Sequence, residues 1–369
     1  MRVIVTGGGT GGHIYPALAI ARGLRDKVQD CEILYVGTRQ GMEAKLVPEA
    51  GWRFSGVSGQ GLPRKLSLES LKTVARSFQA LWQTKEILRH FGPDLVVGTG
   101  GYVSGPVVLT AAMFGIPTLL HEQNALPGIT NRTLARVVKR VMVTFPESLP
   151  RFRAGGKAVL TGLPVRPDIG KVSRAAGAKH FSLRPERLTL LVTGGSRGAR
   201  TLNRAMLTVL EKLAPRPEVQ VIWATGSNTY QETLDGLRRR GIKWERPNWR
   251  VLEYLKDMPE AYAAADLCLS RAGAASLAEL MVAGKPSVLI PYPFAAENHQ
   301  EYNARALVEA GAARLILDKE STGPRLWQEV EGLLADRALL ERMGAAARGL
   351  AQPEALSKIV DLCLETAWK

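Results

Sequence analysis

Only three cysteines stand among the 369 residues, Cys31, Cys268 and Cys363, and no two share a CxxC spacing. That scarcity argues against a disulfide framework and against a zinc site built on paired thiolates, and it suits a reducing cytosol. Long apolar runs are missing too. The longest, residues 107–120, is interrupted by Thr110, Gly115 and Pro117. It falls short of the roughly 18 or more residues that a membrane-spanning helix needs. The apolar start, Val3-Ile4-Val5, is too short for a signal peptide, so the expectation is a cytoplasmic protein. Hydrophobic residues make up 46 % of the chain and charged residues 22 %, a soluble globular balance with apolar material for two cores rather than one.

Negative charge is the scarcer sign. The net charge is +15, and residues 1–165 carry 20 Lys and Arg against 10 Asp and Glu, leaving 29 against 24 for the remainder. A basic first half points to an anionic partner, whether nucleic acid, an anionic membrane surface or a phosphorylated ligand. Solubility alone is the plainer reading of the same excess.

What the chain does have is alternation. Residues 2–6, 32–36, 94–97, 117–120 and 141–144 read as buried strands, separated by amphipathic stretches such as 15–26 and 68–90. This is βαβ grammar, which implies parallel sheets covered on both faces. The pattern restarts at Leu188-Thr189-Leu190-Leu191-Val192-Thr193, followed by Gly194-Gly195-Ser196, an echo of Val3-Ile4-Val5-Thr6 and Gly7-Gly8-Gly9. Further strands are expected near 219–224, 250–253, 267–270 and 287–290. The expected fold class is therefore α/β, with two doubly wound, Rossmann-like parallel-sheet domains facing each other across a cleft. The first spans residues 1–162, a Pro- and Gly-containing hinge occupies 163–167, and the second spans 168–369. Residues 333–364 read as helices, and the sequence leaves open which domain they pack on.

The strand-to-helix loops are rich in glycine. Residues 7–13 read Gly7-Gly8-Gly9-Thr10-Gly11-Gly12-His13 and formally contain G-x-G-x-x-G. A dinucleotide site also needs an acid at the end of the second strand, and that strand ends Tyr35-Val36-Gly37-Thr38-Arg39 without one. The nicotinamide and flavin reading is therefore set aside. Backbone N–H groups at a helix start still suit a phosphate. Gly98-Thr99-Gly100-Gly101-Tyr102 and Gly194-Gly195-Ser196-Arg197-Gly198-Ala199 repeat the device. One such loop is usually only a tight turn, whereas three with adjacent hydroxyls favour phosphate handling.

Six stretches then carry a resemblance. They are Gly8-Gly9-Thr10-Gly11-Gly12-His13, His121-Glu122-Gln123-Asn124, Gly162-x-Pro164-Val165-Arg166, Gly194-Gly195-Ser196-x-Gly198-Ala199, Ser270-Arg271-x-Gly273-Ala274-x-Ser276-x-x-Glu279, and Pro291-Tyr292-Pro293 through His299-Gln300-x-x-Asn303-Ala304. In this order and combination the chain closely resembles the MurG family, the N-acetylglucosaminyltransferases of peptidoglycan precursor synthesis. The resemblance implies a GT-B fold with a UDP-GlcNAc donor in the second domain and a lipid acceptor by the first. It implies transfer to undecaprenyl-pyrophosphoryl-MurNAc-pentapeptide (lipid I), giving lipid II with inversion at the anomeric carbon, and neither metal nor cofactor. Arg197 stands where the family often carries Gln.

The resemblance also implies site residues. Charge develops on the leaving UDP, and helix N-termini and cations can meet it. Gly195 and Ser196 with the N–H groups that follow suit one phosphate. Arg166 suits the diphosphate, its plainer reading being an interdomain salt bridge. Glu279, on the helix opened by Gly273, Ala274 and Ala275, suits both ribose hydroxyls. Arg271 belongs to the same motif, and Leu255 resembles the uracil-recognition position, acting through its backbone. Gln300 and Asn124 suit sugar hydroxyls because an amide both donates and accepts. Thr10, Gly11 and Gly12 belong to the donor side, and Thr10 also suits the acceptor diphosphate. Gly8, Gly9, Gly100, Gly101, Tyr102 and Asn131 belong to the acceptor side. Two residues compete as base. His13 lies at a helix N-terminus, which disfavours imidazolium, and its plainer role is to position substrate. Glu122 is the rival.

A polyprenyl acceptor requires the bilayer. Residues 64–89 carry Arg64, Lys65, Lys72, Arg76, Lys85 and Arg89 against Glu69 and Glu86, with Leu71, Phe78, Leu81, Trp82 and Leu88 interleaved. A basic amphipathic helix of this kind suits an anionic membrane surface. A stripe of Leu71, Val74, Phe78 and Leu81 facing the core is the competing reading. The expected location is peripheral, on the cytoplasmic side of the cell membrane, with cell-wall enzymes as further partners and no nucleic acid. Other readings remain: a UDP-sugar transferase of the same architecture with a different acceptor, a UDP-GlcNAc epimerase, and a non-enzymatic binder explained by charge. The last leaves the glycine loops and Glu279 without a role.

Overall fold

The computed structural model describes residues 1–58, 68–152 and 155–368, the side chains of 68–78 excepted. Arg64 and Lys65 lie outside the described residues, as do the side chains of Glu69, Leu71, Lys72, Val74, Arg76 and Phe78. The chain forms two compact units. One joins Met1–Pro164 to Pro353–Lys369, and the other is Val165–Gln352.

The first unit is built on β1 (Arg2–Thr6), β2 (Glu32–Thr38), β3 (Arg53–Val57), β4 (Leu95–Gly98), β5 (Thr118–Glu122), β6 (Arg140–Val143) and β7 (Ala158–Leu160). Their order across the sheet is 3-2-1-4-5-6-7 and every pairing is parallel. Side chains alternate between the two faces, as a pleated strand requires. Val3, Val5, Leu95, Val97 and Leu119 pack on one face, and Ile4, Val96, Leu120, Val141 and Val143 on the other.

The Ala355–Ala367 helix belongs to this unit, which answers the question that the sequence left open. Ile359, Val360, Cys363 and Leu364 join the cluster of Val3, Val5, Ile20 and Leu24, each aliphatic side chain contributing about 1.5–3 kcal/mol. Gly23 on the Gly11–Lys27 helix allows the approach, because a Cβ there would meet Leu356 and Val360 side chains at 2.9 Å. Lys27 and Asp361 pair beside it.

The second unit carries β8 (Leu188–Thr193), β9 (Val219–Ala224), β10 (Trp249–Leu252), β11 (Leu267–Ser270), β12 (Ser287–Leu289) and β13 (Ala313–Leu315). The order is 10-9-8-11-12-13, again all parallel. Trp223 is fully buried, and its indole N–H donates to Asn203 Oδ1 at 3.1 Å, tying the Arg200–Leu213 helix to the sheet. In both units the strand order reverses beside the first strand, between β1 and β4 and between β8 and β11. Ligands of open α/β sheets bind at such a switch point, outside the carboxyl ends of the strands.

Candidate active site

In the first unit, the loops after β1, β4 and β5 meet at the switch point. Glu43, buried on the Glu43–Glu49 helix, holds the first loop in place. Its Oε1 accepts from the Thr38 hydroxyl at 2.6 Å and N–H at 3.0 Å, and its Oε2 accepts from Gly9 N–H at 3.2 Å. Gly8 N–H donates to Gly100 O at 3.3 Å. The N–H groups of Gly8 and Gly9 are thus engaged within the protein. Those of Thr10, Gly11 and Gly12, at the start of the Gly11–Lys27 helix, meet no partner among the described residues. The buried Tyr35 hydroxyl donates to Gly7 O at 2.7 Å. Burial first, then the Glu43 carboxylate, push that hydroxyl well above its ordinary pKa, so it stays a donor.

Glycine is required where the β1 and β4 loops touch. Gly101 has φ +81°, and a Cβ there would lie 2.2 Å from Gly8 O. At Gly100, with φ +101°, a Cβ would meet the His13 ring at 2.9 Å. Tyr102 follows, partly exposed, with its ring against Gly9.

His13 Nδ1 lies 2.9 Å from Thr99 O and 3.0 Å from Gln123 Oε1. Gln123, buried, directs its Nε2 at Thr99 O (2.9 Å), His121 O (3.0 Å) and His121 Nδ1 (3.1 Å). His121 Nε2 in turn lies 2.9 Å from Gly162 O. Burial lowers the His121 pKa to about 4, against a weaker opposing effect of the Gly162 hydrogen bond, and so keeps the ring neutral.

Glu122 is 1 % exposed and fully engaged. Oε1 accepts from Asn124 N–H (2.9 Å) and Nδ2 (3.2 Å), and Oε2 accepts from Gly128 N–H (3.1 Å) and Asn131 Nδ2 (2.8 Å). Four donors on one buried carboxylate describe a brace for the turn after β5. Asn131 also directs its Nδ2 at His121 O, while its buried Oδ1 meets no partner among the described residues. That oxygen can accept from a hydroxyl or an N–H but repels a phosphate oxygen.

In the second unit, the loops after β8 and β9 interlock. Gly195 (φ +86°) and Gly198 (φ +82°) turn the first loop, closed by Gly198 N–H to Gly195 O at 3.0 Å. Gly226 approaches so closely that a Cβ there would lie 2.0 Å from Gly198 N. The Ser227 N–H and hydroxyl both donate to Ser196 O, at 3.2 and 3.3 Å. Ser196 and Arg197 are exposed at the tip.

Beyond β11, Gly273 caps the Ala274–Ala283 helix that carries Glu279. Arg166 meets Glu279 as a two-pronged pair, Nε to Oε1 at 2.7 Å and Nη2 to Oε2 at 2.8 Å. The Glu279 side chain is 10 % exposed and that of Arg166 46 %. Burial alone lowers the Arg166 pKa, and the hydrogen bonds and charge of Glu279 outweigh it, so the net shift is upward. Burial first, then the nearby Glu279 charge, push the fully buried Tyr262 hydroxyl well above its ordinary pKa. The salt bridge foreseen for Arg166 therefore lies within the second unit.

Arg271 is committed to the frame. Its Nη1 donates to Asp318 and to the carbonyls of Ile290 (3.0 Å) and Pro291 (3.1 Å), and its guanidinium lies over the Tyr292 ring. Gln300 Oε1 accepts from Tyr292 N–H at 2.9 Å, which leaves its Nε2 on the Gly273 side. Leu255 is buried, and Ala275 lies in the first turn of the Glu279 helix.

The surface of the first unit is apolar and basic in part. Trp82 on the Leu68–Phe91 helix is exposed, and so are Leu109 and Met113 on the Ser104–Met113 helix and Phe114 just beyond it. A cavity of about 400 Å³ is lined by Arg132, Arg136 and Arg151 with Ala135 and Pro150. No helix among the described residues is long and apolar enough to cross a membrane.

Comparison with known proteins agrees with this geometry. Residues 3–143 match the glycosyltransferase family 28 N-terminal domain, and residues 189–359 match the family 28 C-terminal domain. A protein of Desulfitobacterium hafniense (strain Y51), named UDP-N-acetylglucosamine–N-acetylmuramyl-(pentapeptide) pyrophosphoryl-undecaprenol N-acetylglucosamine transferase, is 69 % identical over 369 residues, 100 % of both chains. A protein of the same name from Desulforamulus reducens is 50 % identical over 366 residues, 99 % of this chain and 98 % of that one. The crystal structure of Acinetobacter baumannii MurG superposes with a TM-score of 0.79 at 31 % identity, over 99 % of each chain. With its site motifs at the switch points of two Rossmann-like sheets and relatives this similar along its whole length, the chain belongs to the MurG family of glycosyltransferases within family 28.

Proposed function

We propose that this chain transfers N-acetylglucosamine from UDP-N-acetylglucosamine to the MurNAc C4 hydroxyl of lipid I, making lipid II with inversion at the anomeric carbon. The observation that carries this is full-length identity of 69 % to a transferase named for that donor and acceptor. The geometry supplies a physical account of the roles.

Glu279 accepts the ribose hydroxyls of the donor. A carboxylate has about four lone-pair directions, so oxygen capacity for both hydroxyls remains beside the two bonds from Arg166. Arg166 holds Glu279 with two of its five N–H donors, and the rest reach for the diphosphate. Gly195, Ser196 and the N–H groups after them cradle a phosphate, with the polypeptide of Leu255 beside the uracil. Gln300, aimed by Tyr292 N–H, reads sugar hydroxyls. Arg271 frames the Pro291–Tyr292 turn. In the first unit, the N–H groups at the start of the Gly11–Lys27 helix serve an anionic group of the substrates, and Asn131 Oδ1 accepts from a hydroxyl or amide. His13 is the base, because Glu122 is consumed by its four donors.

In the transfer step the acceptor oxygen forms a bond to the anomeric carbon and its proton passes to His13 Nε2. The bond from that carbon to the diphosphate oxygen breaks, and its electron pair departs with UDP. N–H groups and cations aimed at that oxygen lower the barrier. Peripheral attachment to the cytoplasmic face of the membrane completes the reading, through exposed Trp82, Leu109, Met113 and Phe114 with nearby basic residues.

The test is transfer of radiolabel from UDP-N-acetylglucosamine to a lipid I analogue in EDTA, with a no-acceptor control. Labelled lipid supports the reading. Conversion of donor without acceptor means an epimerase, and donor binding without transfer overturns the acceptor assignment. His13→Ala should lower kcat by about 10²–10⁴. A drop of only a few-fold removes His13 as the base.

A further inference from the structure

We propose that Gln123 and His121 are positioning residues that hold His13 in one tautomer, with the proton on Nδ1 and the lone pair on Nε2. The proposal rests on the reading of His13 as the base and deepens it. It follows from a chain of hydrogen bonds whose directions are fixed from both ends by groups that can only accept.

The chain starts at Gly162. A carbonyl has no proton to give, so at 2.9 Å His121 Nε2 must carry the hydrogen. The neutral His121 ring then has a bare Nδ1, which can only accept. The Gln123 atom facing it at 3.1 Å is therefore the NH₂ nitrogen. The same nitrogen faces the carbonyls of Thr99 at 2.9 Å and His121 at 3.0 Å, both acceptors, so the amide has only one satisfactory orientation. Gln123 Oε1 consequently faces His13 Nδ1 at 3.0 Å and can only accept. Thr99 O, at 2.9 Å from the same nitrogen, can only accept as well. Two acceptors on one ring nitrogen demand the proton there, and a neutral imidazole then has Nε2 bare.

That is the state a base requires, since a ring with its hydrogen on Nε2 has no lone pair for the acceptor hydroxyl. Gln123 is 2 % exposed and His121 fully buried, so water does not readily replace either partner. The Thr99 hydroxyl fixes the backbone of the same turn by donating to His13 O at 2.8 Å. Thr99 O is shared between two donors. It accepts from His13 and Gln123 together, so losing Gln123 removes one of the two acceptors on His13 Nδ1 and also a donor that holds the Thr99 carbonyl. When His13 takes the hydroxyl proton it becomes doubly protonated, and the Gln123 and Thr99 oxygens then face a cationic ring, which strengthens both hydrogen bonds as the reaction proceeds.

Long-range proton–nitrogen correlation spectra of histidine-labelled protein, with the His13 signals identified by their loss in His13→Ala, report the tautomer directly. The expected spectrum of the native protein has His13 protonated at Nδ1 and bare at Nε2. Gln123→Leu should move population to the other tautomer and lower kcat about 10–100-fold, the KM for UDP-N-acetylglucosamine staying within about twofold. His121→Gln keeps one acceptor and one donor in line, so kcat should stay within about threefold of native, whereas His121→Phe should lower it about tenfold. A native spectrum with Nδ1 bare overturns the proposal even if every variant misfolds. Unchanged kcat and tautomer in folded Gln123→Leu also overturn it. If His13→Ala retains native kcat, the base reading itself has failed, a result distinguishable from failure of the relay.

Discussion

Glu122→Gln separates the two candidate bases, because bracing and catalysis predict opposite combinations of stability and rate. The native carboxylate is buried and accepts four hydrogen bonds, two on each oxygen, from Asn124, Gly128 and Asn131. Glutamine preserves the shape and one oxygen but presents NH₂ at the other position. Whichever way the amide turns, its NH₂ faces two donors, so two hydrogen bonds become donor–donor contacts and the other two lose their charged acceptor. A hydrogen bond to a charged group is worth about 1.5–3 kcal/mol, and a buried donor left unpaired costs about 1–3 kcal/mol. Allowing for relaxation of the 122–131 turn, the substitution should destabilise the first unit by roughly 3–5 kcal/mol. At about 2–4 °C per kcal/mol for a unit of this size, the midpoint should fall by on the order of 10 °C.

Thermal unfolding by circular dichroism, paired with transfer kinetics well below the variant's midpoint, reads both quantities. Bracing predicts a large fall in Tm, with kcat reduced less than about tenfold where the protein is folded. A native Tm with kcat lowered by about 10²–10⁴, the cost of a missing general base, would refute the bracing argument and make Glu122 the base.

Glu279→Ala removes the carboxylate proposed to accept the ribose hydroxyls and should raise the KM for UDP-N-acetylglucosamine by about 100-fold or more, from two charge-assisted hydrogen bonds at about 1.5–3 kcal/mol each; an unchanged KM in steady-state kinetics contradicts the assignment. His121 gives a pH dependence. Its pKa is about 4 when folded against an ordinary 6.5, so the unfolded chain binds the extra proton between those values and stability is lost as pH falls through that window, by up to about 3 kcal/mol. Urea unfolding at pH 7 and pH 4.5 should show this loss in the native protein and less of it in His121→Gln; identical losses would remove His121 as the cause. Met113→Glu combined with Phe114→Ser should weaken co-sedimentation with phosphatidylglycerol vesicles about tenfold or more, since both side chains are exposed and apolar insertion drives such binding; native binding by this variant excludes that face.

The fold was legible wherever a buried strand ran straight into a glycine loop. β1 and β8 each bury an apolar run with a single buried threonine beside it, Thr6 and Thr189, and are followed by Gly7 and Gly194, so both Rossmann-like halves and their glycine loops could be read from the chain. β3, β7 and β13 went unforeseen for a common reason. Each is short or lies at a sheet edge, and each carries partly or fully exposed residues, so none has the continuous apolar run that marks a central parallel strand. The return of the Ala355–Ala367 helix to the first unit was equally illegible. Its apolar stripe would suit either sheet, and what decides is the Gly23 notch, 333 positions from Leu356 in the chain.

The same distinction holds inside the site. Individual members announce themselves by motif, but their partners do not. Glu279 and Arg166 each stood out alone, whereas their pairing across 113 residues is a property of the fold. Glu43 carried no signal at all, since nothing local marks a helical carboxylate as the acceptor for Gly9 34 residues away. His121 and Gln123 stood in plain view within a motif, without a role. Spacing can bring a histidine and a glutamine to notice, but the tautomer they impose depends on where the Gly162 and Thr99 carbonyls point. On the proposed reading, catalytic identity is therefore written locally, while the tautomer that would make His13 a competent base is written in contacts between distant segments. A substitution at Gln123 that leaves every glycine loop intact should accordingly disable the chemistry while leaving donor binding almost untouched.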